Sequence, residues 1–172
     1  MVQTTNMKKA LVTGGAGFIG RWLVKKLLSE GIDVWVIDNL ENGCEENLNE
    51  FKNDSKLRDV VFADILDAPK LQSLFKDKPD IVFHLAAQSL VKYSYSNPVQ
   101  TYKTNVLGTL NVLEGVRSIS TVKAAIMVTS DKCYENTERD YGYIEDDPMG
   151  GYDPYSSSKG AAELLISSYR NS

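Results

Sequence analysis

A short glycine-rich segment constrains the fold of this chain more than any other stretch. The segment, Thr13-Gly14-Gly15-Ala16-Gly17-Phe18-Ile19-Gly20, follows a short apolar run, Lys9–Thr13, and overlaps a stretch with helical periodicity, Phe18–Ser29. This order predicts a strand, a tight turn and a helix. Because the helix begins among the glycines, backbone N–H groups at its positive end point towards the turn and can bind a pyrophosphate.

Three glycines of this segment have distinct predicted roles. Gly14 permits the tight turn, Gly17 lets the backbone approach the phosphates, and Gly20 lets the helix pack against the strand. A glycine triplet alone would equally suit a tight turn that binds nothing. Its position between a strand and a helix favours dinucleotide binding.

The rest of the chain alternates short apolar runs with helical patterns. The runs lack the polar alternation of half-exposed strands, so we predict an α/β fold with a parallel sheet that helices cover on both faces. Such sheets bind ligands at the carboxyl ends of their strands. Residues 39–53 and 131–153 are polar and predict loops. The other predicted strands are Asp33–Ile37, Val60–Ala63, Ile81–Leu85 and Ala124–Val128, and the other predicted helices are Ala68–Lys76, Pro98–Arg117 and Tyr155–Arg170.

Composition argues against several classes of protein. The 172 residues include 19 basic and 23 acidic side chains, a net charge of -4, so no basic surface for nucleic acid or an anionic membrane is expected. No apolar run approaches the ~20 residues that span a bilayer. Met1–Asn6 are polar rather than a signal peptide, and we expect a cytoplasmic protein.

Histidine and cysteine are too sparse for several kinds of catalytic site. His84 is the only histidine, which argues against a zinc site and a histidine-based triad. Cys44 and Cys133 are far apart in the chain and predict reduced, buried or incidental thiols. We therefore expect no metal, and tyrosine, lysine and carboxylates remain as candidate acids and bases.

Acidic residues follow the second and third predicted strands. Asp38 can accept hydrogen bonds from the adenosine ribose hydroxyls, which favours NAD over NADP because a 2'-phosphate would meet a carboxylate. The pair Asp38-Asn39 would also suit an ordinary turn. Asp64-Ile65 is a candidate for the adenine edge by the same positional argument, with an ordinary turn aspartate as the alternative.

Tyr155 and Lys159 lie four positions apart, in Asp153-Pro154-Tyr155-Ser156-Ser157-Ser158-Lys159. On a helix the two side chains project from one face, so an ammonium could stabilise a phenolate and lower the pKa of a proton-abstracting tyrosine. Such a pair also occurs often on a solvated helix face. An oxidant bound elsewhere in the chain would favour the catalytic interpretation.

Four motifs in this order resemble the extended short-chain dehydrogenase/reductase family. They are the glycine segment, Asp38, His84-Leu85-Ala86-Ala87-Gln88 and Tyr155-x-x-x-Lys159. Within that family, three further strings resemble the CDP-glucose 4,6-dehydratase branch, whereas residues 14–20 and Asp38-Asn39-Leu40 are closer to UDP-sugar epimerases and dTDP-glucose dehydratases. The three strings are Ala87-Gln88-Ser89-Leu90-Val91, Thr129-Ser130-Asp131-Lys132-Cys133-Tyr134-Glu135-Asn136 and Pro148-Met149-Gly150-Gly151-Tyr152-Asp153-Pro154-Tyr155.

The resemblance implies a site with NAD as its cofactor and a nucleotide-hexose, CDP-glucose above others, as its substrate. Gln88, Ser89 and Ser130 are the expected sugar contacts, although Gln88 and Ser89 could equally be structural. The expected cofactor contacts are Gly14, Gly17, Phe18, Ile19, Gly20, Asp38, Asn39, Asp64, Ile65, Leu85, Ala86, Ala87, Tyr155 and Lys159.

The resemblance also implies a lyase that forms a 4-keto-6-deoxy sugar by internal hydride transfer. Tyr155 would take the proton of the 4-hydroxyl, and Lys159 would hold the nicotinamide ribose and lower the tyrosine pKa. Asp131 and Lys132 stand where the family has its elimination acid and base, with Ser130 near the 4-oxygen. Other sugar-nucleotide dehydratases carry Glu at the Lys132 position, so the carbon-5 base is an amine with a lowered pKa or another group. A solvated loop start is the alternative for Asp131-Lys132, and a nucleotide-sugar 4-epimerase is the alternative enzyme.

Family members continue beyond the Tyr-Lys helix with further strands and a small C-terminal substrate domain, whereas this sequence ends at Ser172. We therefore expect residues 1–172 to be an incomplete, NAD-binding Rossmann domain, with a doubly wound parallel sheet in strand order 3-2-1-4-5, that binds NAD without turnover. It would be a truncated form or a gene fragment. In the family, the helices that correspond to 98–117 and 155–170 pair across a dimer, which predicts a homodimer.

Overall fold

The computed structural model describes residues 7–172, and the polar start predicted for Met1–Asn6 lies outside them. The described chain divides into two compact units. The first runs up to Ala86 and takes in Glu114–Met127, and the second comprises Ala87–Leu113 and Val128–Ser172. A single domain over residues 1–172 stays a prediction.

The first unit is built on one parallel sheet. Its strands are β1 (Lys9–Thr13), β2 (Asp33–Asp38), β3 (Leu57–Phe62), β4 (Ile81–His84) and β5 (Ala124–Met127). They run in the order β3-β2-β1-β4-β5, which confirms the predicted doubly wound topology. The order reverses between β1 and β4, the position where such sheets bind ligands.

Residues of the central strands are mostly buried. β1 and β2 bury every residue after the first, and Ala10, Val12, Val34 and Val36 lie in the hydrophobic core. The edge strand β3 is only half-buried and begins at Leu57, three residues before the predicted start. The consecutive polar residues Arg58 and Asp59 interrupt the apolar run, so the run of apolar residues begins only at Val60.

Two helices and a short 3-10 helix complete the first unit. Helix α1 spans Phe18–Ser29 as predicted, and Gly31 follows it with φ +74°, the left-handed conformation that ends many helices. Helix α2 spans Ala68–Phe75 and is capped by Asp67, whose carboxylate accepts from the Lys70 N–H. A 3-10 helix, Glu45–Phe51, lies within the segment predicted as a loop.

The second unit consists of helices and a long loop. Helix α3 spans Val91–Ser96, α4 spans Pro98–Tyr102, a π-helix spans Lys103–Gly108, α5 spans Thr109–Arg117 and α6 spans Pro154–Asn171. The end of α5, from Glu114 onward, belongs to the first unit. The uniform helix predicted over 98–117 is therefore wrong in its middle turn, and α3 was not predicted. Hydropathy periodicity distinguishes poorly between i→i+4 and i→i+5 hydrogen bonding, because one π turn shifts the apolar face only slightly.

The polar segment before α6 is a loop with its own fixed structure. A 3-10 helix, Asp131–Cys133, opens it, and Tyr134 forms an isolated antiparallel bridge with Met149. The Arg139 guanidinium pairs with the Asp147 carboxylate and lies over the Tyr141 and Tyr143 rings.

The described residues contain neither a membrane-spanning helix nor a cluster of metal ligands. No helix within residues 7–172 is long and apolar enough to cross a membrane. The same residues contain no group of three or more His, Cys, Asp or Glu side chains that could hold a metal ion.

Candidate active site

The glycine turn of the first unit leaves no room for a side chain at Gly14. Its φ is +73°, and its N–H donates to the Ile37 carbonyl at 2.8 Å. A Cβ at this position would lie 2.7 Å from the Ala86 nitrogen, closer than atoms of that kind approach. The turn is thus packed directly against the residues that follow β4, which is the geometry of a backbone cradle.

Gly20 lets helix α1 approach the glycine turn closely. A Cβ there would lie 2.0 Å from the Gly14 carbonyl oxygen and 2.7 Å from the Gly15 Cα. The helix also contacts β1 and β2. At Gly17 the space is wider, with 3.3 Å to the Gly14 oxygen.

The first turn of α1 presents its backbone N–H groups without a capping side chain. Gly17 is the N-cap residue, and it forms no side-chain hydrogen bond. Phe18 and Ile19, two of the predicted cofactor contacts, have exposed side chains, so any contact that they make in this conformation is made by the backbone. A helix N-terminus of this kind attracts an anion.

The Asp38 carboxylate holds the glycine turn in place by a hydrogen bond. It is buried at the end of β2, where Oδ2 accepts from the Ala16 N–H at 2.9 Å and Oδ1 accepts from the Leu40 N–H at 2.8 Å. Leu40 adopts φ +61°, a conformation that costs a non-glycine residue free energy. A carboxylate oxygen has more than one acceptor site, so the predicted ribose contact stays compatible with these bonds.

The structure brings two of the predicted cofactor residues together after β2 and β3. The Asn39 amide Nδ2 donates to Asp64 Oδ2 at 3.0 Å, and Asp64 Oδ1 accepts from the Leu66 N–H at 2.8 Å. Ile65, the residue after Asp64, is buried. The Asp64 carboxylate is therefore held in place at the same edge of the sheet as Asp38.

Thr13 and His84 form a buried polar pair between β1 and β4 that was not predicted from the sequence. The Thr13 hydroxyl lies 2.7 Å from His84 Nδ1 and accepts from the Ala86 N–H at 3.2 Å, while the Leu85 N–H donates to the Thr13 carbonyl at 3.1 Å. Thr13 thus fixes the segment Leu85-Ala86. Thr13 ends its predicted strand, but His84 is the next to last residue of the predicted strand Ile81–Leu85, and the spacing of the two residues does not indicate the bond between them.

In the second unit, Tyr155 and Lys159 lie in the first turns of α6 and are both buried. The Asp153 carboxylate caps the helix by accepting from the Ser156 N–H and hydroxyl. Burial raises the pKa of Asp153, but the bonds from Ser156 outweigh it and the pKa is lowered. The Tyr155 N–H donates to the Ser94 hydroxyl at 3.2 Å.

The buried Lys159 ammonium has an altered acidity. Burial lowers its pKa to about 8, and the Glu163 carboxylate opposes part of that decrease. Its Nζ lies 3.5 Å from the Val128 carbonyl oxygen. Glu163 in turn accepts a hydrogen bond from the Thr129 hydroxyl. Neither Thr129 nor Glu163 was assigned a role from the sequence, although Glu163 follows Lys159 by four positions, one helical turn.

Asp131 and Lys132, predicted for the elimination step, form a compact local group with Ser130, predicted to contact the 4-oxygen. Ser130 is the N-cap of the 3-10 helix, and its hydroxyl accepts from the Lys132 N–H at 3.2 Å and donates to Asp131 Oδ1 at 3.1 Å. The Asp131 and Lys132 side chains are exposed. They are therefore free of packing restraints that would keep them from a substrate.

Gln88, a predicted sugar contact, is already engaged in internal bonds. Its side chain is buried, and Nε2 donates to the Leu90 carbonyl and the Thr101 hydroxyl while Oε1 accepts from the Leu90 N–H. Ser89 is exposed and Ala87 is half-buried. The sugar contact of Gln88 stays a prediction, and it would require a change of partners.

Asn105, which the sequence analysis did not identify, connects several of these segments. Its side chain accepts from the Gln88 N–H at 2.9 Å and donates to the Gln88 carbonyl at 3.0 Å and the Ser158 hydroxyl at 2.8 Å. It lies in the π-helix, so the irregular turn points its amide at α6 and at the segment after β4. Asparagine inside a helical pattern, where its propensity is low, was the available signal.

A protein-family model described as GDP-mannose 4,6 dehydratase matches residues 11–172. The chain belongs to this family. It is also an extended short-chain dehydrogenase/reductase, as its motifs implied. Two curated relatives of this dehydratase-family chain are a CDP-glucose 4,6-dehydratase from Salmonella typhimurium, 47% identical over 96% of the chain and 46% of the relative, and a UDP-glucose 4-epimerase from Mycolicibacterium smegmatis, 39% identical over 95% and 51%.

Solved structures agree with the fold of this dehydratase-family chain. A UDP-glucose 4-epimerase from Thermus thermophilus, determined as a complex with NAD, superposes with a TM-score of 0.83 at 35% identity, covering 95% of this chain and 51% of that one. The chain spans about half the length of the curated relatives it matches.

Proposed function

We propose that the protein is an NAD-dependent nucleotide-sugar 4,6-dehydratase that converts CDP-glucose to its 4-keto-6-deoxy product. The observation that carries the proposal is the group Ser130, Asp131 and Lys132, in which both charged side chains are exposed. Three residues separate Asp131 from the end of β5. An epimerase returns hydride to the same carbon and needs no elimination acid or base. The 47% identity to a CDP-glucose 4,6-dehydratase supports the choice of nucleotide.

The first unit fits an NAD pyrophosphate. Positions 14 and 20 have no space for a Cβ, the first turn of α1 has no capping side chain, and the Asp38 carboxylate fixes the Ala16 backbone. NAD, when bound, would accept hydride from sugar carbon 4 and return it to carbon 6. Gly14, Gly17 and the start of α1 would hold its phosphates by backbone contacts.

Asp38, Asn39, Asp64 and Ile65 would hold the adenosine part of the cofactor. A carboxylate at Asp38 would accept from ribose hydroxyls and would repel a 2'-phosphate. The Asn39–Asp64 hydrogen bond supports a prearranged edge for the adenine. Leu85, Ala86 and Ala87 would line the cofactor after β4.

Tyr155 would remove the proton of the sugar 4-hydroxyl. Lys159 would stabilise the phenolate as an ammonium and bind the nicotinamide ribose. Its low pKa of about 8 means that the ammonium and the free amine are both accessible near neutral pH. Ser130 would donate a hydrogen bond to the 4-oxygen.

Asp131 and Lys132 would carry out the elimination of water. The 4-ketone acidifies the proton on carbon 5, one of the pair would take that proton, and the other would protonate the leaving 6-hydroxyl. Gln88 and Ser89 would contact the sugar. All of these groups belong to the second unit.

Mass spectrometry tests the reaction. The protein is incubated with NAD and, in separate reactions, with CDP-, dTDP-, UDP- and GDP-hexoses. A product lighter by one water with the CDP-sugar is expected, and an isomer of unchanged mass would favour the second candidate, a nucleotide-sugar 4-epimerase, which the 39% identity to a UDP-glucose 4-epimerase also supports.

A third candidate of a different class is a chain that binds NAD without catalysis. It is supported by the glycine turn, where Gly14 has no space for a Cβ, because such a turn can bind phosphates without any catalytic step. Calorimetry that detects NAD binding by the 172-residue chain, together with no turnover of any hexose, would favour it. Turnover by this chain alone would exclude it.

We also propose a homodimer formed by the helices at 98–117 and 155–170. Large apolar side chains on these helices are exposed, with Val99 at 67%, Leu107 at 48% and Leu164 at 65%. Apolar exposure of this kind is typical of an interface between subunits. A monomeric mass by light scattering at high protein concentration would contradict the dimer.

A further inference from the structure

Glu163 connects helix α6 to the segment that carries Ser130. Its carboxylate is half-buried and accepts a hydrogen bond from the hydroxyl of Thr129, the residue before Ser130. The bond joins positions 34 residues apart. A half-buried carboxylate that accepts a hydrogen bond is more constrained than a surface glutamate, whose side chain samples many rotamers.

The same carboxylate acts on Lys159 by its charge. Glu163 follows Lys159 by four positions on α6, so the two side chains project from one helix face. Lys159 is only 5% exposed, and its ammonium lies 3.5 Å from the carbonyl of Val128, the residue before Thr129. The Lys159 ammonium and the Glu163 carboxylate therefore reach adjacent residues of the same segment.

We propose that Glu163 is a positioning residue that keeps the buried Lys159 in its charged form and, through Thr129, fixes the backbone leading to Ser130. An ammonium taken out of water favours losing its proton, and a fixed negative charge one helical turn away opposes that loss. The role of Glu163 in catalysis rests on the proposed function of Lys159 and Ser130. The electrostatic coupling of Glu163 to Lys159 is a property of the folded protein alone.

Other titratable groups lie on the elements packed against α6, and the coupling has to be distinguished from them. The Cys133 thiol is buried, and its pKa is raised first by burial and then by the Glu163 and Asp131 carboxylates. Tyr155 lies on α6 itself. The remaining groups on the packed elements are Asp131 and Lys132 in the 3-10 helix, Lys92, Tyr93 and Tyr95 in α3, Tyr102 in α4 and Lys103 in the π-helix.

Nuclear magnetic resonance of protein labelled at lysine Cε and Nζ measures the coupling directly. The Lys159 signal is assigned by its absence from a Lys159→Arg variant and is titrated between about pH 6 and about pH 11, a range that brackets the lysine pKa values. In the wild type we expect a pKa of about 8. In Glu163→Gln, which keeps the shape of the side chain and removes its charge, the pKa of Lys159 should fall below that value.

Two further variants separate the coupling from general effects. Thr129→Val keeps the Glu163 carboxylate but removes the hydrogen bond that holds it, and it should also lower the pKa of Lys159. This variant is the sole test if Glu163→Gln does not fold. Glu30→Gln removes an equal charge from an exposed pair with Lys26 and should leave the Lys159 titration unchanged. An unchanged titration in folded Glu163→Gln, or in folded Thr129→Val where Glu163→Gln does not fold, overturns the proposal.

The proposed function can fail separately. If NAD does not bind the wild type by calorimetry while the Lys159 pKa still moves in Glu163→Gln, the coupling stands and the assignment of the cofactor site is wrong. If NAD binds and the Lys159 pKa does not move, the cofactor site stands and the role of Glu163 is rejected.

Discussion

The Asp38 carboxylate reaches back 22 residues to the glycine turn, where it accepts a hydrogen bond from the Ala16 N–H at 2.9 Å. One buried side chain thus joins the end of β2 to the loop expected to hold the pyrophosphate. The residue that would select the ribose therefore also fixes the backbone that would bind the phosphates. Its loss should affect both parts of the cofactor site.

Replacing Asp38 by Asn should lower both stability and NAD affinity. An amide has one acceptor oxygen for two donors, Ala16 and Leu40, and its NH2 would face a backbone N–H, at a cost of about 1–3 kcal/mol. Urea unfolding and calorimetric NAD titration measure the two effects. Asp54→Asn, in an exposed turn where one oxygen accepts from the Lys56 N–H, is the control and should change neither by a comparable amount. Equal behaviour of the two variants would show that Asp38 has no special role.

Replacing Gly14 by Ala should be far more harmful than replacing Gly31. Both glycines have φ above +70°, but a Cβ at 14 would meet the Ala86 nitrogen at 2.7 Å, whereas a Cβ at 31 meets nothing within 4 Å. Gly31→Ala should cost about 1–2 kcal/mol for the left-handed backbone, and Gly14→Ala should add about 1–3 kcal/mol for overpacking. Chemical unfolding of both variants gives the difference, and equal losses would mean that the turn is not closely packed in solution.

Replacing Lys159 by Met should stabilise the protein at neutral pH. Because burial lowers the folded-state pKa to about 8 from 10.5, the unfolded chain binds more protons between these values, and wild-type stability rises with pH across that window. Below about pH 8 the buried charge costs the wild type on the order of 3 kcal/mol. The advantage of Lys159→Met should therefore be largest at about pH 7 and smaller at about pH 10.

Urea unfolding at the two pH values checks this dependence. Lys26→Met removes an ammonium from an exposed pair with Glu30 and supplies the matched control, which should show no such trend. An advantage of Lys159→Met that stays constant from about pH 7 to about pH 10 would mean that the Lys159 pKa is not lowered by burial.

Replacing Asn105 by Ala should destabilise the second unit. The change leaves the Gln88 N–H and carbonyl without their partner, at a cost of about 3 kcal/mol. Asn171→Ala, at the exposed end of α6, should change stability by less than about 0.5 kcal/mol. Hydrogen exchange of the Gln88 amide reports the lost bond, and exchange at the wild-type rate would contradict the assignment.

The strands could be predicted because each one is marked by its own residues, whereas their order followed from the family resemblance. Two continuous apolar runs, Lys9–Thr13 and Ile81–Leu85, are separated from the neighbouring runs by glycines or by stretches with helical periodicity. The π-helix at Lys103–Gly108 could not be predicted, since its extra residue per turn is stabilised by the long-range bonds of Asn105 rather than by its own sequence. The edge strand β3 began earlier than predicted because one side of it has no partner strand to bury it.

In the candidate site, too, some features could be predicted from the sequence and others could not. Gly14 and Asp38 follow strands whose ends are visible in the sequence, so their positions were predictable. The contacts of Glu163 with Thr129 and of Thr13 with His84 join residues more than thirty positions apart, and spacing carries no signal for them. Gln88 matched a family motif, yet its buried amide is engaged within the protein, which only three-dimensional packing reveals.

Calorimetric titration of NAD into the 172-residue chain tests the central claim most directly. The wild type and Gly31→Ala should bind one NAD per chain, NADP should bind more weakly because of Asp38, and Gly14→Ala should not bind. Absence of NAD binding by the folded wild type, or equal binding by folded Gly14→Ala, would contradict a cofactor site at the glycine turn.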